Sequence, residues 1–117
     1  MSTSGTQLFE TWFRRVWKEN DTSAIYEMFP DGKAEGLGSQ KISTPDQFRV
    51  FKEKLTALVS NIEITIDKAI EDGEWTAALC VLNGNCASSG KPVQFTGTVF
   101  GKVTDGQIDH AYNHWDF

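Results

Sequence analysis

The side chains best suited to proton transfer are concentrated at the C-terminal end of the chain. Both histidines, His110 and His114, lie there together with Tyr112 and Asp116. Because successive side chains of a β-strand point to opposite faces, an extended segment would place all four on one face with Ile108. The other face would carry Asp109, Ala111, Asn113, Trp115 and Phe117. Imidazole, phenol and carboxylate groups on one face form a plausible site for acid/base chemistry.

Asp116 is the candidate base for such chemistry. Proton removal next to a carbonyl needs a base and a donor for the oxyanion that forms. Apolar walls would raise the pKa of Asp116 toward neutrality. His110, Tyr112 or His114 could then donate to the oxyanion or orient the carboxylate. The alternative is a half-exposed edge strand with a solvated Asp116 near the chain end.

A shared metal ion and an internal disulfide are not expected. On a strand, His110 and His114 would lie about 13 Å apart, too far to bind one ion. His114 with Asp116 would need a third ligand from another strand. Cys80 and Cys86 would lie about 20 Å apart in one extended segment, whereas a disulfide needs less than about 7 Å. We therefore predict no metal, and two buried structural cysteines.

The charge balance argues against nucleic-acid binding. The net charge is −5 and the pI is about 4.9. Basic residues form only short patches at 14–15 and 52–54, and phosphate binding needs larger clusters. No apolar run approaches the roughly 18 residues of a membrane span, and residues 1–7 lack the charge of a signal peptide. These features predict a cytoplasmic protein without nucleic-acid or membrane partners.

An amphipathic helix is predicted from residue 6, after a disordered leader at 1–5. Its apolar stripe includes Trp12 and Trp17. Either tryptophan could contact a ligand, although packing against a sheet is the commoner role of such residues. A turn at 20–23 and a short second helix should follow.

The third helix has the clearest start signal. Thr44 is a natural N-cap, Pro45 suits the first helical position, and Gln47 would complete a capping box. The helix should end near Ser60. Residues 33–43 before it read as a short strand or irregular edge.

Four consecutive strands are predicted in the second half of the chain. After residue 61 the apolar period changes from 3.6 to 2, and Asp-Gly turns at 72–73 and 105–106 separate strands. Because helices precede strands, the class is α+β with an antiparallel sheet that curls around the helices and leaves a cavity. Strand 74–86 is apolar on both faces, so a partner subunit could cover one of them. Residues 6–117 form a single domain.

Several weak motifs in a fixed order indicate a family. The chain resembles SnoaL-like polyketide cyclases of the nuclear-transport-factor-2-like superfamily. The resemblance rests on Trp17-x-x-Asn20-Asp21, Glu71-Asp72-Gly73, Gly90-Lys91-Pro92-Val93-x-Phe95-x-Gly97, Asp105-Gly106-x-Ile108 and x-His110-x-Tyr112-x-x-x-Asp116.

The resemblance implies a cone-shaped α+β barrel with a deep apolar pocket, dimeric through its sheet. It also implies aldol cyclisation or isomerisation of an apolar carbonyl compound without cofactor or metal, with Asp116 as the acid/base. From the residues themselves, Tyr112, Trp12 and Trp17 are the candidate ligand contacts. The family often has Glu at the position of His110 and Trp at that of Tyr112, which weakens any transfer of substrate. A non-catalytic binding or dimeric interaction module is the alternative. An epoxide hydrolase would need an Asp-Arg-Asp set, and all three arginines fall on predicted helices.

Overall fold

The described part of the protein has three α-helices and one five-stranded sheet. The structure is a computed structural model that describes residues 4–30, 33–36 and 41–116. The helices are α1 (Gly5–Trp12), which continues as a π-helical segment (Phe13–Lys18), α2 (Thr22–Met28) and α3 (Pro45–Leu58). The strands are β1 (Lys33–Glu35), β2 (Val59–Asp72), β3 (Trp75–Cys86), β4 (Pro92–Thr104) and β5 (Gln107–Trp115). This arrangement confirms the predicted α+β class.

The sheet is mixed and open rather than a closed antiparallel barrel. Its strand order is β1-β5-β4-β3-β2. The four long strands pair antiparallel in sequence, as predicted, whereas β1 pairs parallel with β5. β1 and β2 lie at opposite edges and do not pair with each other, and the helices pack against one face of the sheet. The irregular edge predicted at 33–43 contains β1 and a single bridge between Ala34 and Ile42.

Helix α1 begins before the predicted start at Thr6. Ser4 is its N-cap and forms a reciprocal capping box with Gln7, a Ser-x-x-Gln signal that defines a helix start. Ser4 and Gly5 therefore belong to the helix, which corrects that part of the predicted leader; residues 1–3 lie outside the described part of the chain. The carboxylate of Glu71 accepts from the Gly5 amide and the Thr6 hydroxyl, so the helix start is tied to β2.

The π-helical segment widens the helix where it meets β2. The Glu19 amide donates to the Arg14 carbonyl five residues earlier, at 2.8 Å, the spacing that defines a π-helix. Phe13, Val16 and Trp17 are all buried in this segment. The π-helical segment thus packs its apolar side chains against β2.

The start of α3 follows the prediction closely. Thr44 is the N-cap and accepts a hydrogen bond from the Gln47 amide. The Gln47 side chain accepts from the Ser43 amide at 2.7 Å, one residue earlier than in a standard capping box. The helix ends at Leu58, two residues before the predicted end, because Val59 already pairs with Cys86 in the sheet.

Bulges in β2 and β5 change which side chains face the helices. In β2 the register shifts between Ile66 and Lys68, so Ile70, which was predicted on the apolar face, is 75% exposed. Between β4 and β5, Lys102 pairs with His110 but Val103 pairs with Ile108. The extra residue, Asp109, is a bulge that interrupts the alternation.

The opposite face of the sheet, here called the outer face, is left uncovered by the helices. Exposed apolar residues on it are Ile70, Leu79, Phe100 and Tyr112. A cross-strand row runs Ile70–Ala77–Phe100–Tyr112. The predicted two-sided apolar character of β3 therefore corresponds to a helix-covered inner side and an exposed outer side. None of the described helices is both long and apolar enough to cross a membrane.

Candidate functional site

A small apolar cavity lies between the helices and the inner face of the sheet. Its volume is about 50 Å³. Since one water needs about 10–15 Å³, the cavity has room for roughly three to five water-sized groups. Its described lining consists of Phe9, Trp12, Phe13, Trp17, Phe29, Ala34, Phe48, Phe51, Leu55, Ile64, Leu82, Val99, Ile108, Ala111, Asn113 and Trp115.

Aromatic rings form most of the wall. Trp12 packs edge-on against Phe48 with ring centroids 5.0 Å apart, and Trp17 does so at 6.1 Å. Phe29 lies 5.8 Å from Phe48 and Phe51 lies 6.0 Å from it. Tilted and edge-to-face pairs are favourable arrangements for aromatic rings. The ring of Phe48 is thus the centre of an aromatic cluster contributed by α1, the π-helical segment, α2 and α3.

Asn113 is the polar residue of the cavity. Its Nδ2 donates to the main-chain carbonyl of Glu35 at 3.1 Å, which fixes the side chain against β1. Gly36 allows the chain after β1 to approach the main chain of β5. It has φ +85°, and a Cβ there would lie 1.7 Å from the main-chain carbonyl oxygen of Asn113. The amide is therefore held in a defined position at the wall of the cavity.

Trp115 forms the part of the cavity wall next to β4. Its indole lies over Gly97, where an added Cβ would stand 2.4 Å from Trp115 Cε3. Gly97 is opposite Trp115 in the β4–β5 pairing. The absence of a side chain at residue 97 thus makes room for the indole on the inner face.

The structure separates the predicted site residues into two groups. Trp12 and Trp17 are buried and line the cavity together. The other four, His110, Tyr112, His114 and Asp116, are not among the described lining residues. The expected single face with Ile108 is corrected here, because the bulge at Asp109 leaves Ile108, Ala111, Asn113 and Trp115 on the cavity side.

The four C-terminal polar residues lie on the outer face. His110 and Tyr112 stack at 4.4 Å, and Tyr112 stacks on Phe100 at 6.4 Å. The Nε2 of His110 lies 2.9 Å from the carboxylate of Glu35. That hydrogen bond, together with the positive charge of nearby Lys41, lowers the pKa of Glu35. His114 and Asp116 are exposed, and the Asp116 amide continues the strand pairing by donating to Thr96.

Lys52 is a buried cation close to the aromatic cluster. It is 8% exposed, its Nζ donates to Asn20 Oδ1 at 3.0 Å, and it lies 6.0 Å from the centroid of the Trp17 ring. Burial lowers its pKa, as expected when an ammonium group loses water. The helical position of Lys52 in the sequence gives no indication of this polar partner, which lies on another segment.

The two cysteines have contrasting environments. Cys80 is buried, which raises the pKa of its thiol to about 12. Cys86 is partly exposed at the end of β3, where hydrogen bonds from Ser88 and Ser89 lower its pKa to about 6. The predicted burial thus holds for Cys80 and is wrong for Cys86, because the strand ends there in a serine-rich turn. Both thiols are free, and the described residues contain no group of three or more potential metal ligands.

The cavity is suited to binding rather than to proton transfer by its described walls. Asn113 is the one described lining residue with an amide, hydroxyl or ionisable side chain. Asn113 was missed because the face that carries the histidines was predicted to be the site, and Asn113 lies on the opposite face. A signal was present: Ala111, Asn113 and Trp115 combine small, amide and aromatic side chains at period two, and their partners in β4 are Gly101, Val99 and Gly97.

The sequence also matches a known protein family. The sequence model of SnoaL-like polyketide cyclases matches residues 7–117. The chain belongs to the SnoaL-like polyketide cyclase family. The SnoaL-like domain thus spans nearly all of the sequence, as the motifs predicted. No functionally curated protein matches it.

Solved structures share the fold of the SnoaL-like domain at low identity. A Catenulispora acidiphila protein with a ketosteroid isomerase-like fold, solved with trimethylamine, has a TM-score of 0.82 at 16% identity, covering 98% of this chain and 88% of that one. A proposed SnoaL-like polyketide cyclase of Jannaschia sp. CCS1 has a TM-score of 0.76 at 20% identity, covering 99% and 91%. IdmH, a proposed polyketide cyclase of Streptomyces antibioticus, has 0.82 at 15%, covering 97% and 93%.

Proposed function

We propose that this SnoaL-like protein binds a small, neutral, mainly apolar molecule with one hydrogen-bonding group. The observation that carries the proposal is the composition of the cavity: aromatic and aliphatic walls with a single amide, that of Asn113. Pockets that recognise small molecules are mostly apolar with a few polar groups that set orientation. A ligand carbonyl or hydroxyl would contact Asn113 while its hydrocarbon part contacts the rings.

The volume sets the size of the ligand. A cavity of about 50 Å³ accommodates on the order of three to five heavy atoms. Typical drug-sized ligands need pockets of about 300–1,000 Å³. A multi-ring polyketide would therefore require the aromatic cluster to open, whereas a short ketone or alcohol fits the cavity with its present walls.

Binding can be measured through the tryptophans. Titration with acetone, and separately with tert-butanol, should shift the indole N–H signals of Trp12, Trp17 and Trp115 in NMR spectra. Ala111→Leu, which adds three carbons inside the cavity, should abolish the shifts. Thr98→Leu on the outer face is the matched control and should leave them unchanged. Equal binding by Ala111→Leu and the wild type would place the ligand elsewhere and end the proposal.

The contribution of the amide is tested separately. Asn113→Ala removes the polar group, and one hydrogen bond is worth about 0.5–1.5 kcal/mol. Affinity for acetone should therefore fall by roughly two- to tenfold. An unchanged affinity would show that the ligand contacts only the rings.

The family match favours a second candidate, acid/base catalysis with Asp116 as the base. Asp116 directly follows Trp115, which lines the cavity, although its own side chain is exposed. Asp116→Asn preserves the shape of the side chain and should abolish turnover of a cyclisable diketone if the carboxylate is the base. Undiminished turnover would exclude Asp116 and leave binding as the function.

We also propose that a second copy of the chain covers the outer face. Phe100 and Tyr112 are 45% and 42% exposed there, within a stack that continues to Trp75. Contiguous exposed apolar groups of this kind mark interaction sites. Light scattering should give twice the chain mass, and Phe100→Glu should give the mass of one chain. A monomeric wild type at all concentrations would refute the proposal.

A further inference from the structure

The buried ammonium group of Lys52 has no oppositely charged partner in direct contact among the described residues. Lysine is almost never fully buried unless it is paired, and this one is 8% exposed. Within the described part of the chain, Lys52 forms no ion pair; its hydrogen-bond acceptor is the neutral amide oxygen of Asn20. The adjacent carboxylate of Glu53 is exposed and paired with Arg49 at 2.9 Å. The charge of Lys52 is therefore not neutralised by a direct contact.

Trp17 is adjacent both to this charge and to the cavity. The ammonium group lies over the Trp17 ring, 6.0 Å from its centroid. Trp17 lines the cavity, whereas Lys52 is not among the described lining residues. A ligand in van der Waals contact with the ring, about 4 Å from it, would lie within about 10 Å of Nζ. No described lining residue carries a charge that would offset that of Lys52.

We propose that Lys52 is a specificity-determining residue that makes the cavity select neutral ligands against cationic ones. This inference rests on the proposed function, and it specifies the ligand class of the same cavity. Aromatic walls alone attract both classes, since tryptophan and phenylalanine rings bind quaternary ammonium groups through cation–π contacts. The ammonium of Lys52, 6.0 Å from the centroid of the Trp17 ring, repels a second cation that contacts the same ring.

The size of the effect follows from the distance. Two like charges about 10 Å apart, at an effective dielectric constant of about 20, repel enough to weaken binding roughly tenfold. Exclusion of a cation by loss of its own hydration shell is independent of Lys52. A comparison of variants therefore isolates the part that belongs to the lysine.

Tetramethylammonium and tert-butanol form a suitable probe pair, since both are compact and have five heavy atoms. The affinity of each is measured at pH 7 by NMR for the wild type, Lys52→Met, Lys52→Arg and Lys54→Met. Lys52→Met keeps the chain length without the charge, and Lys52→Gln is a second charge-free variant if Met disturbs the fold. Lys54→Met is the control, because Lys54 is exposed on the same helix.

The wild type should bind tert-butanol and discriminate against tetramethylammonium. Lys52→Met should improve tetramethylammonium binding roughly tenfold relative to tert-butanol, while Lys52→Arg and Lys54→Met should keep the wild-type ratio. A merely structural role of Lys52 would change both affinities together and leave their ratio unaltered, which would overturn the inference. So would wild-type binding of both probes with equal affinity, and that result would leave the proposed binding function standing. Failure of tert-butanol to bind the wild type would overturn both, and failure of Lys52→Met to bind tetramethylammonium would overturn the inference alone.

Discussion

Replacement of Gly97 by alanine should destabilise the protein through Trp115. The new Cβ would stand 2.4 Å and 2.5 Å from two indole carbons of Trp115 and 2.8 Å from the main-chain oxygen of His114. Carbon atoms need about 3.5–4.0 Å, so the indole must move by about 1 Å. Because Trp115 lines the cavity, the movement also changes the shape of the cavity.

The cost can be estimated from other overpacked cores. Insertion of one carbon without room costs about 1–3 kcal/mol, which for a chain of this size lowers Tm by roughly 4 °C for each kcal/mol. Urea unfolding gives the free energy directly. Thr98→Ala, at the neighbouring residue on the outer face, serves as a control and should change the free energy of unfolding by less than about 0.5 kcal/mol.

A double mutant separates the clash from a general weakening of the strand. Trp115→Ala alone should be destabilising, since the indole packs against the core. In that background Gly97→Ala should cost less, because the obstructing ring is gone and only the 2.8 Å contact with the main-chain oxygen of His114 remains, and the coupling energy should be about 1 kcal/mol or more. Additive costs, or a Gly97→Ala variant as stable as the wild type, would refute the account of the residue 97–115 contact.

Three further outcomes follow from the structure. Iodoacetamide should modify Cys86 well before Cys80, with a rate that rises with pH around 6, where the Cys86 thiolate forms; equal rates in peptide mapping would contradict the environments described. The lowered pKa of Glu35, caused first by its hydrogen bond with His110, contributes stability at pH values above about 4.5 that is lost as the pH falls below it. Urea unfolding of Glu35→Gln should therefore show a smaller loss of stability on acidification than the wild type, and parallel curves would count against the pair. Thr44→Ala should lower the free energy of unfolding by about 1 kcal/mol through loss of the α3 N-cap, whereas Thr44→Ser should keep most of it.

Features that depend on neighbouring residues in sequence were predictable. The start of α3 follows from Thr44 and Pro45, whose conformational preferences act locally. The burial of Trp12 and Trp17 follows from their spacing on one helix face. The four long strands follow from period two and the Asp-Gly turns.

Features that depend on pairing between distant residues were not predictable. The bulge at Asp109 exists because β5 must match β4 on both sides of the Lys102–His110 pair, and no periodicity within β5 encodes that match. This single residue decides that Asn113 faces the cavity and His110 does not. The acid/base role predicted for the C-terminal residues therefore depends on a register that the isolated strand does not contain.

The bulge also affects how this chain can be compared with relatives. An extra residue absorbed as a bulge changes the length of β5 without exchanging its two faces. A relative that lacks the counterpart of Asp109 can keep the same cavity lining, and its sequence corresponds to this one only if a gap stands at that residue. Without the gap, the residues on one side of the bulge are aligned one position away from their true equivalents. Outer-face side chains are then mistaken for cavity side chains. At 12–20% identity among the structural neighbours, the β4–β5 hydrogen-bond register is thus the sounder guide to which residues are equivalent.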